Sequence, residues 1–290
     1  MRKLGKLFSR ITALFWCLVP WSFNRLAGKA LAFLWLDVLN LRRQVIYDNL
    51  QTAFPNISEA EKKRIAKKSV QVLCQSFFDV MKVPYLNSKW VEKNVIFDGQ
   101  ENIKSLAQYG EGVFFLTLHM GSGDLAAAIV SEHLKPVTLI SKRFANQFLD
   151  AFWFGLRERS KTNFIDAHAK NNAFEILSAL KKKRGVVFVL DQFMGKPYGV
   201  ESQFFGVTTG TAYGLALLAK KTQRPVFPLY TYWDEQNKLH ICLEPAVDLT
   251  TEVGQTNEEI TNIFNRSLEG IITRHPEHWM WVHKRWKTFE

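Results

Sequence analysis

The stretch from Gly112 through His119 to Ala128 is where residue types and spacing in this 290-residue chain could do chemistry. An apolar run from Val113 to Leu118 reads as a buried strand. Gly121 and Gly123 let the backbone turn sharply and come close to a ligand. A helix begins near Asp124, so His119 stands at the carboxyl end of a strand, where open α/β sheets place their ligands. A neutral imidazole can take a proton from a hydroxyl near neutral pH, and a carboxylate can hold its tautomer and stabilise the imidazolium. The five-residue step from His119 to Asp124 supplies both groups in one turn-and-helix unit, with His119 as base and Asp124 as its orienting partner. The attacking hydroxyl would belong to the substrate, which agrees with the lack of a G-x-S-x-G nucleophile elbow. Two plainer readings compete. Asp124 can be a helix-start carboxylate, and a histidine after a strand can be structural; the ordered combination favours chemistry.

Other reactive residue types point to less. Cys17, Cys74 and Cys242 are far apart and form no C-x-x-C pair, so neither a disulfide framework nor a zinc site is expected. His275, His278 and His283 lack a familiar zinc spacing. Standing beside Trp279, Trp281 and Trp286, they read as a packed or membrane-edge segment. No metal and no bound organic cofactor is expected. The chain carries 38 Lys and Arg against 27 Asp and Glu, a net charge of +11. Such a balance suits nucleic acid, anionic lipid, phosphorylated substrates or an acidic partner. Nucleic-acid motifs are absent, and 9 Trp with 23 Phe shift the weight to a membrane.

The elements that must position these residues follow from the pattern. Basic Arg2, Lys3, Lys6 and Arg10 precede an apolar run, Ile11 to Phe23, which Pro20 interrupts. A second run spans Ala30 to Leu36. Neither reaches the roughly 20 apolar residues of a spanning helix, so residues 1–40 read as a broken apolar hairpin or interfacial helix on a bilayer. Residues 41–93 read as a helical lead-in with a capping-box pair at Ser58 and Glu61. From 94 to 290 short β-rich runs alternate with helical segments. The strands are Val113–Leu118, Pro136–Ile140, Asn163–Ile165, Val186–Leu190, Val226–Tyr232 and Leu239–Leu243. The helices are Asp124–His133, Ala145–Ser160, Asn171–Lys182 and Thr211–Thr222. This predicts an α/β fold with a mixed sheet flanked by helices; strand order stays open.

The His-x4-Asp unit resembles the His-x4-Asp/Glu signature of glycerolipid acyltransferases, and the wider chain resembles the lipid A biosynthesis late acyltransferases. Tyr47 to Pro55 is similar to that family's Asn, Leu and Phe-Pro signature, and Ser141 to Asn146 to its segment with a substrate-binding arginine. The likeness continues through Val189 to Gln192, Phe204 to Gly210, Arg224 to Pro228 and His275 to Trp286, nearly the whole chain. The departure is Ser122-Gly123-Asp124, where the family usually has Asn-Trp-Glu. The resemblance implies transfer of a fatty acyl group from acyl carrier protein to a hydroxyl of a lipid A precursor, at the cytoplasmic face of a bacterial inner membrane, among its lipids and without nucleic acid. It implies substrate-binding roles for Arg143, Asp191 and Gln192. Arg143 would hold a phosphate or the thioester oxyanion, or lie solvated on the surface. Asp191 would position a substrate hydroxyl, pair with Arg143, or simply start a loop. Lys181 to Arg184 reads as a solvated face or a docking patch for the acidic carrier. The altered Ser-Gly-Asp stretch leaves acyl or aminoacyl transfer to another membrane lipid as the alternative.

Overall fold

The computed structural model describes residues 1–158, 161–249 and 256–290. Helices α1 (Arg2–Leu18), α2 (Trp21–Phe33), α3 (Arg43–Ala53), α4 (Glu59–Asp79) and α5 (Ser88–Asn94) lead into strand β1 (Val95–Asp98). Next come α6 (Gln100–Gln108), β2 (Val113–Thr117), α7 (Gly123–His133), β3 (Val137–Ser141), α8 (Gln147–Leu156), β4 (Thr162–Asp166), α9 (Asn172–Lys181) and β5 (Gly185–Val189). The chain ends with β6 (Gly199–Phe204), β7 (Val207–Ala212), α10 (Gly214–Thr222), β8 (Val226–Trp233), β9 (Leu239–Leu243) and α11 (Asn257–Arg274).

The first two helices are built inside out. α1 buries Gly5, Ser9 and Ala13, and α2 buries Asn24, Gly28 and Ala32. A small or short residue at every fourth position lets backbones approach closely. A Cβ on Gly5 would lie 2.5 Å from the Phe148 carbonyl oxygen of α8, and one on Gly28 would lie 2.9 Å from the Gln75 nitrogen of α4. The large apolar residues face outward: Leu7, Phe8, Ile11, Leu14, Phe15 and Leu18 on α1, and Phe23, Leu26 and Phe33 on α2, are exposed. The break between the helices falls at Pro20, whose ring ends the preceding helical run. The buried Lys82 ammonium closes that end, donating to the carbonyls of Trp16 at 2.7 Å and Val19. Among the described residues no helix is long and apolar enough to cross a membrane.

Seven strands form the main sheet in the order β1-β9-β8-β2-β5-β3-β4. Every pairing is parallel except β8 with β9. The sequence predicts a mixed sheet, and the structure makes it mostly parallel. β2 lies between β8 and β5 and is wholly apolar from Val113 to Leu116, as a strand covered on both faces must be. Its residues alternate between two cores. Phe114 and Leu116 pack with Ile46, Leu50, Ile65 and Phe264 from α3, α4 and α11. Val113 and Phe115 pack with Leu106, Ile129 and Val130 from α6 and α7.

Several local expectations shift. Thr211 lies in β7, not a helix, because its hydroxyl accepts a bond from the buried Arg285 at 2.6 Å; the helix starts after Tyr213. The helix expected over Ala145–Ser160 runs from Gln147 to Leu156, and Ser160 lies outside the described residues. Ser58 does cap α4, accepting from the Glu61 nitrogen at 3.2 Å, but the Glu61 carboxylate turns to Arg64 at 2.8 Å. A reciprocal capping box forms instead at Thr256 and Glu259, at the start of α11.

Candidate active site

Strand register decides which carboxylate meets His119. In the parallel β2–β5 pair Thr117 stands opposite Val189. Two residues further on, just past the carboxyl ends of both strands, His119 and Asp191 face each other. The His119 ring places Nδ1 2.8 Å from Asp191 Oδ1, and the His119 backbone N–H donates to Oδ2 at 2.9 Å. Trp279 Nε1–H donates to the same Oδ2 at 2.7 Å. Asp191 is buried, so it is held ionised by these donors: burial alone raises its pKa, but the His119 charge and the hydrogen bonds from His119 and Trp279 bring the net shift below the usual value. An ionised acceptor on Nδ1 selects the Nδ1–H tautomer and leaves the Nε2 lone pair open. Nε2 carries no hydrogen bond among the described residues, and the ring is 41% exposed. Burial pulls the imidazole pKa down, but the Asp191 charge, its hydrogen bond and the Asp124 charge outweigh that, and the net shift is upward.

The expected His119–Asp124 contact is replaced by this one. Asp124 sits in the first turn of α7 and accepts from Arg157 Nε at 2.7 Å. Arg157 is buried, bonded also to Ser141 Oγ at 3.1 Å and lying over the Phe164 ring at 4.8 Å. A buried guanidinium needs an anion, and Asp124 supplies it. Arg143 is elsewhere: its guanidinium stacks 3.8 Å from the Phe154 centroid, donates to Asp150 at 2.6 Å, and lines a separate cavity. Gln192 lies beside the His119 ring, its amide nitrogen 3.4 Å from Nδ1. Arg184, expected in a solvated patch, instead ties strands together through Thr138 Oγ1 at 2.8 Å and the Val137 and Lys161 carbonyls, while Lys181 to Lys183 stay exposed.

The loop from His119 to Asp124 is pinned from both sides. Gly121 adopts φ +57°, and a Cβ there would meet the Thr231 carbonyl oxygen at 2.4 Å, so both conformation and contact require glycine. Ser122 donates to the buried Asp79 at 2.5 Å and accepts from Trp233 Nε1 at 2.9 Å. Asp79 also accepts from Asn24 of α2 at 2.8 Å. Burial pushes its carboxyl up to about 6 against these hydrogen bonds. Asp79→Ala is therefore expected to lower stability by about 2–3 kcal/mol, because Ser122 and Asn24 lose a buried acceptor. A shift in the denaturation midpoint would show it, and an unchanged midpoint would exclude it.

A cavity of about 350 Å³ opens at His119. Asp124, Arg157 and Met280 share its lining with His119, while Ala127, Val130, Val137, Leu139, Val187 and Leu229 make an apolar recess. His278 also lines it; the residue is buried, its Nδ1 3.5 Å from Glu277 Oε1. At Gly123 neither φ nor crowding demands glycine, since a Cβ would meet nothing within 4 Å.

Three of the sequence segments noted above, Tyr47 to Pro55, Phe204 to Gly210 and His275 to Trp286, pack on one another. Asn49 of α3 donates to the carbonyls of Trp281 and His283, each at 2.7 Å. Phe54 packs on Trp281 and Phe205. Arg285, wholly buried, donates to Gly210 O at 2.8 Å and lies over Phe204. The 278–280 strand bridge holds the His119 loop, with Met280 N donating to His119 O at 3.0 Å and Gly121 N to His278 O at 3.1 Å. The scattered segments thus build one latch, and that latch carries Trp279.

Residues 2–288 match the model of the bacterial lipid A biosynthesis acyltransferase family. The chain belongs to that family. A lipid A biosynthesis acyltransferase of Haemophilus influenzae is 25% identical over 81% of this chain and 72% of its own length. The Escherichia coli K12 lipid A biosynthesis palmitoleoyltransferase is 24% identical over 94% of this chain and 88% of its own. The lauroyltransferase of the same strain is 22% identical over 93% and 87%. The chain is thus an acyltransferase of lipid A biosynthesis, and within this family member the sequence reading missed Arg157 and Trp279. A signal for Asp191 was present: His119 and Asp191 are each the first residue after an expected strand.

Proposed function

We propose that this family member transfers a fatty acyl group from an acyl carrier protein thioester to a hydroxyl of a lipid A precursor, with His119 as general base held by Asp191. The observation that carries this reading is the buried, triply bonded Asp191 on Nδ1 of His119, a residue that lines a largely apolar cavity. Nε2 takes the acceptor's proton as its oxygen attacks the thioester carbonyl. The tetrahedral intermediate collapses, the carbon–sulfur bond breaks, and the imidazolium returns the proton to the leaving thiolate. Arg157, the arginine lining the cavity, supplies positive field to the developing oxyanion, and Asp124 orients it. The membrane docks on the outward apolar faces of α1 and α2, flanked by Arg2, Lys3, Lys6 and Arg10. Apolar side chains exposed together along two helices mark an interaction surface, and they bring the chain to the cytoplasmic face of the inner membrane.

The test is transfer from carrier-protein thioesters of graded chain length to a lipid A precursor in membranes. Transfer from one range of lengths supports the reading, and none from any donor by folded enzyme contradicts it. The open space at Gly123 favours keeping a second acceptor class, an amino-lipid or glycerolipid taking an acyl or aminoacyl group, in the same screen. The recess makes a further expectation. Ala127→Phe fills part of it, so the preferred donor should shorten, each excluded methylene losing about 0.8 kcal/mol of burial, roughly fourfold in kcat/KM. An unchanged chain-length profile would show that the chain lies elsewhere.

A further inference from the structure

A second cavity, of about 240 Å³, lies along one flank of α2 and is distinct from the one at His119. Arg25 and Lys29 of α2, Lys68 of α4 and Lys238 of the β8–β9 turn line it, against a single carboxylate, Asp234. That carboxylate is occupied: it accepts from the Lys238 backbone at 2.7 Å and lies 3.3 Å from His240 Nε2. Arg25 is bonded to the Asn237 side-chain oxygen, and the Lys238 ammonium donates to the Lys93 carbonyl at 2.6 Å. Lys29 and Lys68 are exposed and have no salt bridge among the described residues. The cavity is therefore an anion-attracting hollow with two uncommitted ammonium groups.

Its place on α2 says what kind of anion reaches it. Along this helix Asn24, Gly28 and Ala32 face the protein, while Phe23, Leu26 and Phe33 face outward. Arg25 and Lys29, four residues apart, lie on the edge between those stripes. If the outward stripe rests in a bilayer, that edge lies at headgroup level, where lipid phosphates are. Trp21 and Trp90 stack at 3.8 Å beside the cations, a pairing suited to the same depth. We propose that this hollow binds the phosphate of a membrane lipid's headgroup, the two lysines closing on its oxygens. This depends on the membrane docking proposed above. The hollow also touches the catalytic loop's anchor, because its wall residues Gln75 and Trp233 bond to Asp79 and Ser122 respectively.

The experiment titrates the full chain, in a neutral detergent, with short-chain phosphatidic acid and separately with inorganic phosphate, by calorimetry. Lys29→Gln/Lys68→Gln should weaken binding of the lipid phosphate about tenfold or more, given about a kcal/mol for each cation near the surface. The control, Lys181→Gln/Lys183→Gln, removes equal charge from exposed positions outside the hollow and should change binding less than about twofold. Equal weakening by both doubles would mean diffuse attraction and overturn the site. Equal affinity for inorganic phosphate would overturn the lipid assignment. Flotation with phosphatidylcholine vesicles separates the two ideas: failure to float with saturable lipid-phosphate binding removes the membrane docking and leaves the site, and flotation without saturable binding does the reverse.

Discussion

A His119→Ala enzyme is expected to fold and to transfer acyl groups about 10²–10⁴-fold more slowly than wild type, the usual contribution of a positioned general base. The ring is 41% exposed. The backbone N–H that anchors the loop to Asp191 survives the substitution, as do the bonds from Met280 N to the residue-119 carbonyl and from Gly121 N to the His278 carbonyl. The defect should lie in kcat, with the acceptor's KM nearly unchanged, because deprotonation is a transition-state contribution. Rate measurement across acceptor concentrations checks this. A fall confined to KM would make His119 a binding residue.

Asp191→Asn is expected to be almost as damaging. The amide keeps the size, and its oxygen can stand at Oδ2 and still accept from the His119 and Trp279 N–H groups, but it cannot also offer the ring N–H an acceptor at Oδ1 as a carboxylate does. Its NH2 would face a donor, favouring the tautomer with the proton on Nε2, which is useless as a base there. A loss of roughly 10²–10⁴ in kcat follows from the comparable effect of removing the orienting carboxylate in serine proteases. Asp124→Asn should cost far less, since Asp124 bonds to Arg157 and acts on His119 through its charge alone. Parallel rates for the two variants decide it, and an Asp124→Asn defect equal to or larger than that of Asp191→Asn would reverse the assignment.

The parts of the fold that depend on local pattern were legible. Val113 to Leu118 and Val186 to Leu190 read as buried strands because each is an unbroken apolar run, and β2 and β5 are there. The partner of His119 was not legible along the chain, because it comes from across the sheet. Asp124 is five positions away in sequence, and Asp191 is 72; only the β2–β5 pairing makes 191 the neighbour. The β6–β7 hairpin escaped because it is rich in small and polar residues around Thr208 to Gly210, and its partners, Arg285 bonded to the Gly210 carbonyl and Trp286 bonded to the Phe204 carbonyl, come from the far end of the chain. Arg157 and Arg143 look alike in sequence. Only burial separates them: Arg157 needs Asp124 as its anion, whereas Arg143, in the loop before α8, pairs with Asp150 in the first turn of that helix.

The pH dependence of transfer tests the central claim, that Asp191 holds the base His119, most directly. His119 can act only while neutral, and its pKa is raised above the ordinary 6.5 chiefly by Asp191 against burial. The wild-type rate should therefore fall as pH drops through a limb lying above 6.5. In Asp191→Asn the charge is gone and burial remains, so the limb should move to lower pH while the plateau rate falls. Asp124→Asn should shift the limb less. A limb that stays in place in Asp191→Asn, or that moves only in Asp124→Asn, would contradict the account.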